Sequence, residues 1–336
     1  MFQGRSWQAH AFGEPKDVLR AIPTEWPAPA PGRVLVRVLA CGVGLPDLLI
    51  TTGRYPLLPQ PPVAPGQEVV GEVVAVPAGS RFAAGDRVMG ATAFLDGWGG
   101  YSDYAYVREE KTQRVPPTMT DEEAAGFMIG FRTAYAGLHD RSQVRPGEVV
   151  LVLGAAGNTG AAAVQLAKAL RATVIAAAGD EAKLAFCTGI GADHVVNYRT
   201  SDVVEQVRRI TDGRGADVVF DPVGGELGTR AAGAVARLGR FALIGYASGS
   251  WATLDPLDMV LRNYSAVGVF ASGTPEEDRQ AYDHLADLAR RGVIRTPVSR
   301  VVPFDEVPDA VDAIPTAPPG KAIVRVHSGD GTAQSS

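Results

Sequence analysis

The chain has 336 residues, 46% of them apolar and 21% charged, with a formal net charge of -5. That composition excludes global disorder, and at about 100–200 residues per domain the length suggests about two domains. No basic stretch stands out, which argues against a nucleic-acid-binding surface, and the two cysteines, Cys41 and Cys187, are too few for a disulfide framework or a four-cysteine zinc lobe.

The first residues, Met-Phe-Gln-Gly-Arg-Ser-Trp, lack the apolar run of a signal peptide, and no segment reaches about 18 uninterrupted apolar residues. The expectation is a soluble, cytoplasmic protein with no membrane partner. Residues 34–39 alternate as a strand, and 67–76 read as a second after the proline-rich break at 56–65. A turn at 85–88 feeds a third, and 101–107 read as a fourth. Short strands with Gly and Pro punctuation predict a small barrel-like β domain. The texture changes near Thr120, which reads as an N-cap with Glu123 completing a capping box. From residue 149, apolar strands alternate with helices, at 149–153, 173–178, 194–198, 217–220, 241–244 and 266–270. This rhythm predicts a parallel sheet with helices on both faces. A helix follows at 281–291. Residues 300–326 return to strand and turn, as though rejoining the first domain, and 328–336 read as a polar tail.

Leu151-Val152-Leu153 leads into Gly154-Ala155-Ala156-Gly157-Asn158-Thr159-Gly160 and then an alanine-rich helix in which Gln165, Lys168 and Arg171 form one solvated stripe. Strand, glycine turn and helix together predict a dinucleotide site, because glycines let the backbone approach a pyrophosphate at the helix N-terminus. Ala155 holds the first position of the strict G-x-G-x-x-G pattern, so the motif alone is weak; the second strand at 173–178 supports it. An NAD site places an acid at the end of that second strand. Here Ala178 stands near that position, and Lys183 lies one helical turn past Gly179, where a cation reaches a 2′-phosphate. The alternative is a solvated helix lysine, and Asp180 and Glu181 argue mildly against a dianion. The reading favours NADPH over NADH.

These segments resemble the medium-chain dehydrogenase/reductase superfamily, and within it the zinc-independent quinone oxidoreductase branch. The marks are Cys41-Gly42-Val43-Gly44-Leu45-Pro46-Asp47, Gly53-Arg54-Tyr55-Pro56, Pro65-Gly66-Gln67-Glu68-Val69-Val70-Gly71, Gly85-Asp86-Arg87-Val88 and Gly99-Gly100-Tyr101-Ser102-Asp103-Tyr104. Thr133-Ala134-Tyr135, the glycine loop, Gly191-Ala192-Asp193, Asn197-Tyr198-Arg199, Asp221-Pro222-Val223-Gly224-Gly225 and Gly320-Lys321 follow in order. The resemblance covers nearly the whole chain. It implies an α/β protein: a GroES-like β-barrel catalytic domain (1–123 and 267–336) with an inserted Rossmann doubly wound parallel-sheet domain (124–266) and a cleft between them. It also implies that Gly179, Lys183 and Tyr198 hold the 2′-phosphate. Further cofactor contacts are implied at Thr133, the loop residues Ala155, Ala156, Gly157, Asn158, Thr159 and Gly160, and at Gly224, Gly245, Phe270 and Lys321. A homodimer through edge pairing of 266–270 is implied as well.

Two departures matter. Zinc-dependent relatives carry Cys and His where this chain has Gly44 and Gln67, so no family-type metal site is expected. Zinc-independent quinone reductases usually carry Asn at the Gly44 position. Without a metal there is no Lewis acid for an isolated carbonyl; quinones, enones and enoyl thioesters, already electrophilic, fit better. Tyr55, in the loop that the family places at the cleft, is either a proton donor or an aromatic wall against the substrate. Asp47 is expected to brace the substrate loop. Cys41, His139 and His284 read as packing or surface residues, Trp98, Phe94 and Phe270 as pocket lining or core, and Asp221 as a loop anchor. The first expectation is an NADPH-dependent, zinc-independent oxidoreductase acting on a quinone or similar conjugated carbonyl. The alternatives are an enoyl or alkenal double-bond reductase, including one that tailors a secondary metabolite, and a non-catalytic NADPH-binding protein.

Overall fold

A computed structural model describes residues 1–57 and 60–327; the polar stretch 328–336 lies outside the described residues. Two six-stranded sheets organise the chain. In the first, Arg33–Val43, Glu68–Ala75, Arg87–Thr92 and Tyr104–Arg114 pair antiparallel in sequence order, and Tyr104 to Arg108 return to pair with Arg37 to Arg33. That return closes the barrel. Lys321–Arg325 adds antiparallel beside Ala40 to Val43, and Val298–Pro303 adds parallel to it. The end of the chain thus rejoins the barrel. Val34, Val36, Val38, Val69, Val88, Ala105 and Val107 fill the barrel interior with less than 2% exposure each.

The second sheet is wholly parallel. Its order is Ser265–Gly268, Val235–Leu243, Ala216–Asp221, Val149–Leu153, Thr173–Ala178, His194–Asn197. The first strand lies beside both the second and the fourth, so crossovers run in opposite directions from it, and ligands bind at the carboxyl ends around such a switch point. Val150 and Val152 pack into one core layer, and Val149, Leu151 and Leu153 into the other. Burial on both faces explains why these strands read as uninterrupted apolar runs. The last strand spans the expected 266/267 boundary; the chain leaves this sheet after Gly268.

Local signals account for several ends. Thr120 caps Asp121–Ala125: its hydroxyl accepts from Glu123 N at 3.2 Å, while Glu123 Oε2 accepts from Thr120 N at 3.0 Å. The helix Asn158–Ala169 keeps Gln165 and Lys168 on its half-buried stripe, whereas Arg171 lies beyond its end with φ 62. The helix expected at 281–291 starts earlier, as Pro275–Arg290, because Thr274 and Glu277 form another capping box. One core layer runs between domains: Leu39, Ala40, Val70 and Met89 of the barrel share it with Phe131, Val150 and Val152.

Candidate active site

The glycine loop leaves the switch-point strand at Gly154, whose φ of 56 favours glycine. Ala155 and Ala156 are buried beneath it, and Gly157 is the N-cap of Asn158–Ala169. No side chain caps that helix, so its first N–H groups are left for another acceptor. A Cβ at Gly160 would lie 2.3 Å from Gly154 O, so glycine is required there for the helix to sit against the turn. Asn158 packs against Gly130, on the helix Met128–Tyr135 that also carries Thr133. The Thr133 hydroxyl donates to Ile129 O at 2.8 Å. Opposite the loop, Gly224 has φ 68 and lies against Ser250 O, while Gly245 lies against Pro222. Asp221 anchors that turn through Oδ1, which accepts from Val223 N at 2.9 Å and Gly224 N at 2.8 Å. Burial pushes its carboxyl above the usual range, against those two backbone donors.

The second strand ends at Ala178, and Gly179 sits inside a cluster. A Cβ there would meet Tyr198 Oη at 2.9 Å and Arg199 Nε at 3.0 Å. Asp180 caps the next helix by accepting from Lys183 N at 2.9 Å, and its Oδ2 lies 3.4 Å from Lys183 Nζ. The Lys183 backbone N–H, followed by the nearby cations Lys183 and Arg199, holds the Asp180 carboxyl below its ordinary value. Tyr198 and Arg199 therefore lie against Gly179, Lys183 is tied to the adjacent Asp180, and Arg199 is a second cation that the sequence reading did not assign to the site. Its place next to Tyr198 was the available signal.

On the barrel side, Asp47 is buried at the start of Leu45–Thr51. Its Oδ2 accepts from Gly44 N and the Tyr101 hydroxyl, and its Oδ1 from Gly66 N, at 2.8, 2.9 and 2.8 Å. These bonds tie the Gly44 segment to the Gly66 segment. Burial raises the Asp47 carboxyl, opposed first by those backbone donors. Tyr55 stacks edge-on against Phe94, and its hydroxyl accepts from Gln67 Nε2 at 3.4 Å. Burial pushes its phenol up, so it stays protonated at neutral pH and able to donate. The Tyr246 phenol, in the loop after Gly245, is also raised by burial, with Tyr55 a second cause; this nearness across the domains was not read from sequence.

Lys321 opens the strand Lys321–Arg325, next to the glycine loop. Gly320 N donates to Ala156 O at 3.0 Å, and the Lys321 side chain runs on to Glu68, with Nζ 2.6 Å from Oε1. The ring of Phe270 stands apart. Phe270 is 71% exposed and lines a cavity of ≈ 690 Å³ with Tyr135, His139 and Gln280, none of them in the clusters above. His139 and His284 pack with Tyr135 there. Trp98 packs with Trp26 and Tyr106, and Cys41 is fully buried, its thiol pushed well up by burial.

A zinc ion finds no donor set here. Gly44 has no side chain, Gln67 offers an amide held near Tyr55, and among the described residues no group of three or more His, Cys, Asp or Glu could hold a metal.

Comparison with known proteins is consistent with both domains. Residues 30–117 match the "Alcohol dehydrogenase GroES-like domain" model and 159–288 the "Zinc-binding dehydrogenase" model. The chain is 33% identical to the rat "Synaptic vesicle membrane protein VAT-1 homolog" over 319 residues, 89% of this chain and 78% of that protein. It is 32% identical to the bovine "Quinone oxidoreductase-like protein 2", covering 91% of this chain and 88% of the relative. Escherichia coli quinone oxidoreductase, solved in complex with NADPH, superposes with a TM-score of 0.88 at 29% identity, covering 96% of this chain and all of the other. The chain therefore belongs to the medium-chain dehydrogenase/reductase superfamily, and it is an oxidoreductase of that superfamily.

Proposed function

We propose that the protein is an NADPH-dependent, zinc-independent reductase of a quinone or similar conjugated carbonyl acceptor. The observation that carries this reading is the Gly179 cluster. At the end of the second parallel strand a phenol and a guanidinium lie against the side-chain-free Gly179, and Lys183 follows on the next helix, paired with Asp180, with Ala178 where an acid would serve a free ribose. The uncapped helix at Gly157 suits the pyrophosphate. The E. coli relative in complex with NADPH supports the same choice.

Bound NADPH supplies a hydride; the rest falls to side chains of this chain. Gly44 and Gln67 offer no Lewis acid, so an acceptor activated by its own conjugation fits. Asp47 fixes the Gly44 and Gly66 segments against each other, and Tyr55 presents a protonated hydroxyl beside Gln67. The quinone oxidoreductase-like relatives support this acceptor class. We infer a homodimer joined at the outer edge of the strand Ser265–Gly268, which pairs with no further strand among the described residues. The two unpaired buried thiols, Cys41 and Cys187, suit the reducing cytoplasm. Among the described residues no helix is long and apolar enough to cross a membrane.

The test is NADPH oxidation against quinones, enones and enoyl thioesters, with and without a chelator. Turnover of at least one class, unchanged by the chelator, is expected. NADPH binding with no turnover of any class would instead support a non-catalytic protein, and chelator-sensitive activity would overturn zinc independence.

A further inference from the structure

We propose that the cavity lined by Arg132, Tyr135, His139, Arg141 and Arg145 is a second ligand site, separate from the dinucleotide loop and the Tyr55 group, and that it takes a planar aromatic carboxylate.

The cavity encloses ≈ 690 Å³, within the range of small-molecule sites, about 300–1,000 Å³. The helix Met128–Tyr135 and the turn Ala136–Arg141 form one of its walls. That turn is π-helical: Ser142 N donates to Gly137 O, five residues back, at 3.0 Å. Such turns are rare and concentrate at functional sites. Helical spacing separates this wall from the dinucleotide side. Gly130 and Gly137 lie against Asn158 and Phe220, and Thr133 stands between them at three- and four-residue spacing. Arg132, Tyr135 and His139 follow the same spacing on another face, and that face lines the cavity.

Arg132 is almost wholly buried, its side chain 4% exposed. Its Nε and Nη2 donate to Asp278 Oδ1 at 3.1 and 3.0 Å, and its Nη1 to Asp140 Oδ2 at 3.1 Å. A guanidinium has five N–H donors, so two have no acceptor among the described residues. Buried donors are costly unless matched, and these belong to a residue that lines a cavity. Arg141 is held in place by its Nε, which donates to Gly268 O at 3.1 Å. Neither Arg141 nor Arg145 has a carboxylate partner among the described residues. Two carboxylates also line the cavity, and both are engaged: Asp140 by Arg132 and His139, and Glu277 by Thr274 N. Asp278 is shared with Lys111 Nζ at 3.5 Å, so that pair leaves the balance unchanged. Three guanidinium groups against two carboxylates leave one net positive charge, which suits a monoanion better than a phosphate dianion. A carboxylate is such an anion, and its two oxygens match a guanidinium fork. Beside these donors Tyr135 and His139 stack, with ring centroids 4.4 Å apart and planes 22° from parallel. A flat aromatic ligand extends that stack, whereas an alkyl chain does not.

The test is isothermal titration calorimetry of the full chain with 2-naphthoate. 2-Naphthol, the ring without the charge, and hexanoate, the charge without the ring, serve as controls, each with and without excess NADP⁺. 2-Naphthoate should bind once per chain, roughly tenfold or more tightly than either control, and equally with NADP⁺ present. Arg141 and Arg145 are exposed, so Arg141→Gln with Arg145→Gln should leave Tm unchanged while weakening 2-naphthoate roughly ten- to a hundred-fold. His139→Ala, also at an exposed residue, should narrow the preference for 2-naphthoate over hexanoate. No binding of 2-naphthoate to the native protein, or equal affinity in the double arginine variant, would overturn the proposal. So would a His139→Ala variant that keeps the native preference. Displacement by NADP⁺ would also overturn it, since that would put the ring in the dinucleotide site.

Discussion

Lys183 shares its neighbourhood with one carboxylate, Asp180, and one further cation, Arg199. A 2′-phosphate placed there gains two charge-assisted partners and one repulsion. Removing one cation should therefore cost NADPH, but not NADH, about 1.5–3 kcal/mol, roughly ten- to over a hundred-fold in affinity. Lys183→Ala measured by fluorescence titration with both cofactors tests this, and equal loss for the two would rule out a 2′-phosphate contact. Tyr55 calls for a different readout. Tyr55→Phe keeps the edge-on contact with Phe94 and removes only the hydroxyl beside Gln67. If that hydroxyl donates the proton, single-turnover reduction of an enoyl substrate should slow by roughly 10²–10⁴-fold with little change in substrate affinity. A silent Phe variant with enoyl substrates leaves Tyr55 as a wall. Residue types alone pointed to Lys183, because a helix turn past Gly179 is a local distance. Arg199, Tyr246 and the Lys321–Glu68 pair were not assigned these contacts, since each meets its partner only after distant segments close: Lys321 and Glu68 are 253 residues apart.

The glycine loop is an element whose shape depends on one missing side chain. At Gly160 a Cβ would strike backbone atoms, Gly154 O at 2.3 Å and Ala155 Cα at 2.7 Å, and backbone cannot rotate away as a side chain can. Gly160→Ala should therefore push the helix Asn158–Ala169 off the turn, costing about 1–3 kcal/mol as overpacking does and weakening both dinucleotides together. A lowered Tm with NADPH and NADH affected alike is expected; an unchanged Tm would mean that the turn relaxes freely. The parallel strands were readable because burial on both faces leaves unbroken apolar runs. The first barrel strand was read short for a physical reason. Arg33–Val43 shifts register between Val38 and Ala40, so the alternation that marked 34–39 breaks there while pairing continues. Val235–Leu243 starts well before the expected 241 for a related reason. Leu238 takes φ 64 and is 63% exposed, in a bulge where Ala216 pairs with Val235 but Val218 with Arg240.

In the whole molecule, one edge of the parallel sheet lies beside exposed apolar side chains. The barrel closes on itself, but the parallel sheet ends at Ser265–Gly268, whose outer side has no strand among the described residues. The return of residues 298–325 to the barrel was visible as a change of texture, whereas the core layer shared between the domains was not, because no local pattern records which buried face meets which. Just before the open edge, the helix Pro256–Arg262 has no buried residue and exposes Leu257, Val260 and Leu261 at 64–71%. A free strand edge beside exposed apolar side chains is a liability unless covered. A second copy placed antiparallel on the edge would satisfy its backbone groups and cover these side chains about a two-fold axis, within an interface of standard size, about 1,600 Å² in total. The native protein should therefore sediment as a dimer at micromolar concentration. Val260→Glu with Leu261→Glu would bury charge in that interface and should give a folded monomer with an unchanged far-ultraviolet circular dichroism spectrum. A native monomer, or a double variant that dimerises as well as the native chain, would place the contact elsewhere or remove it.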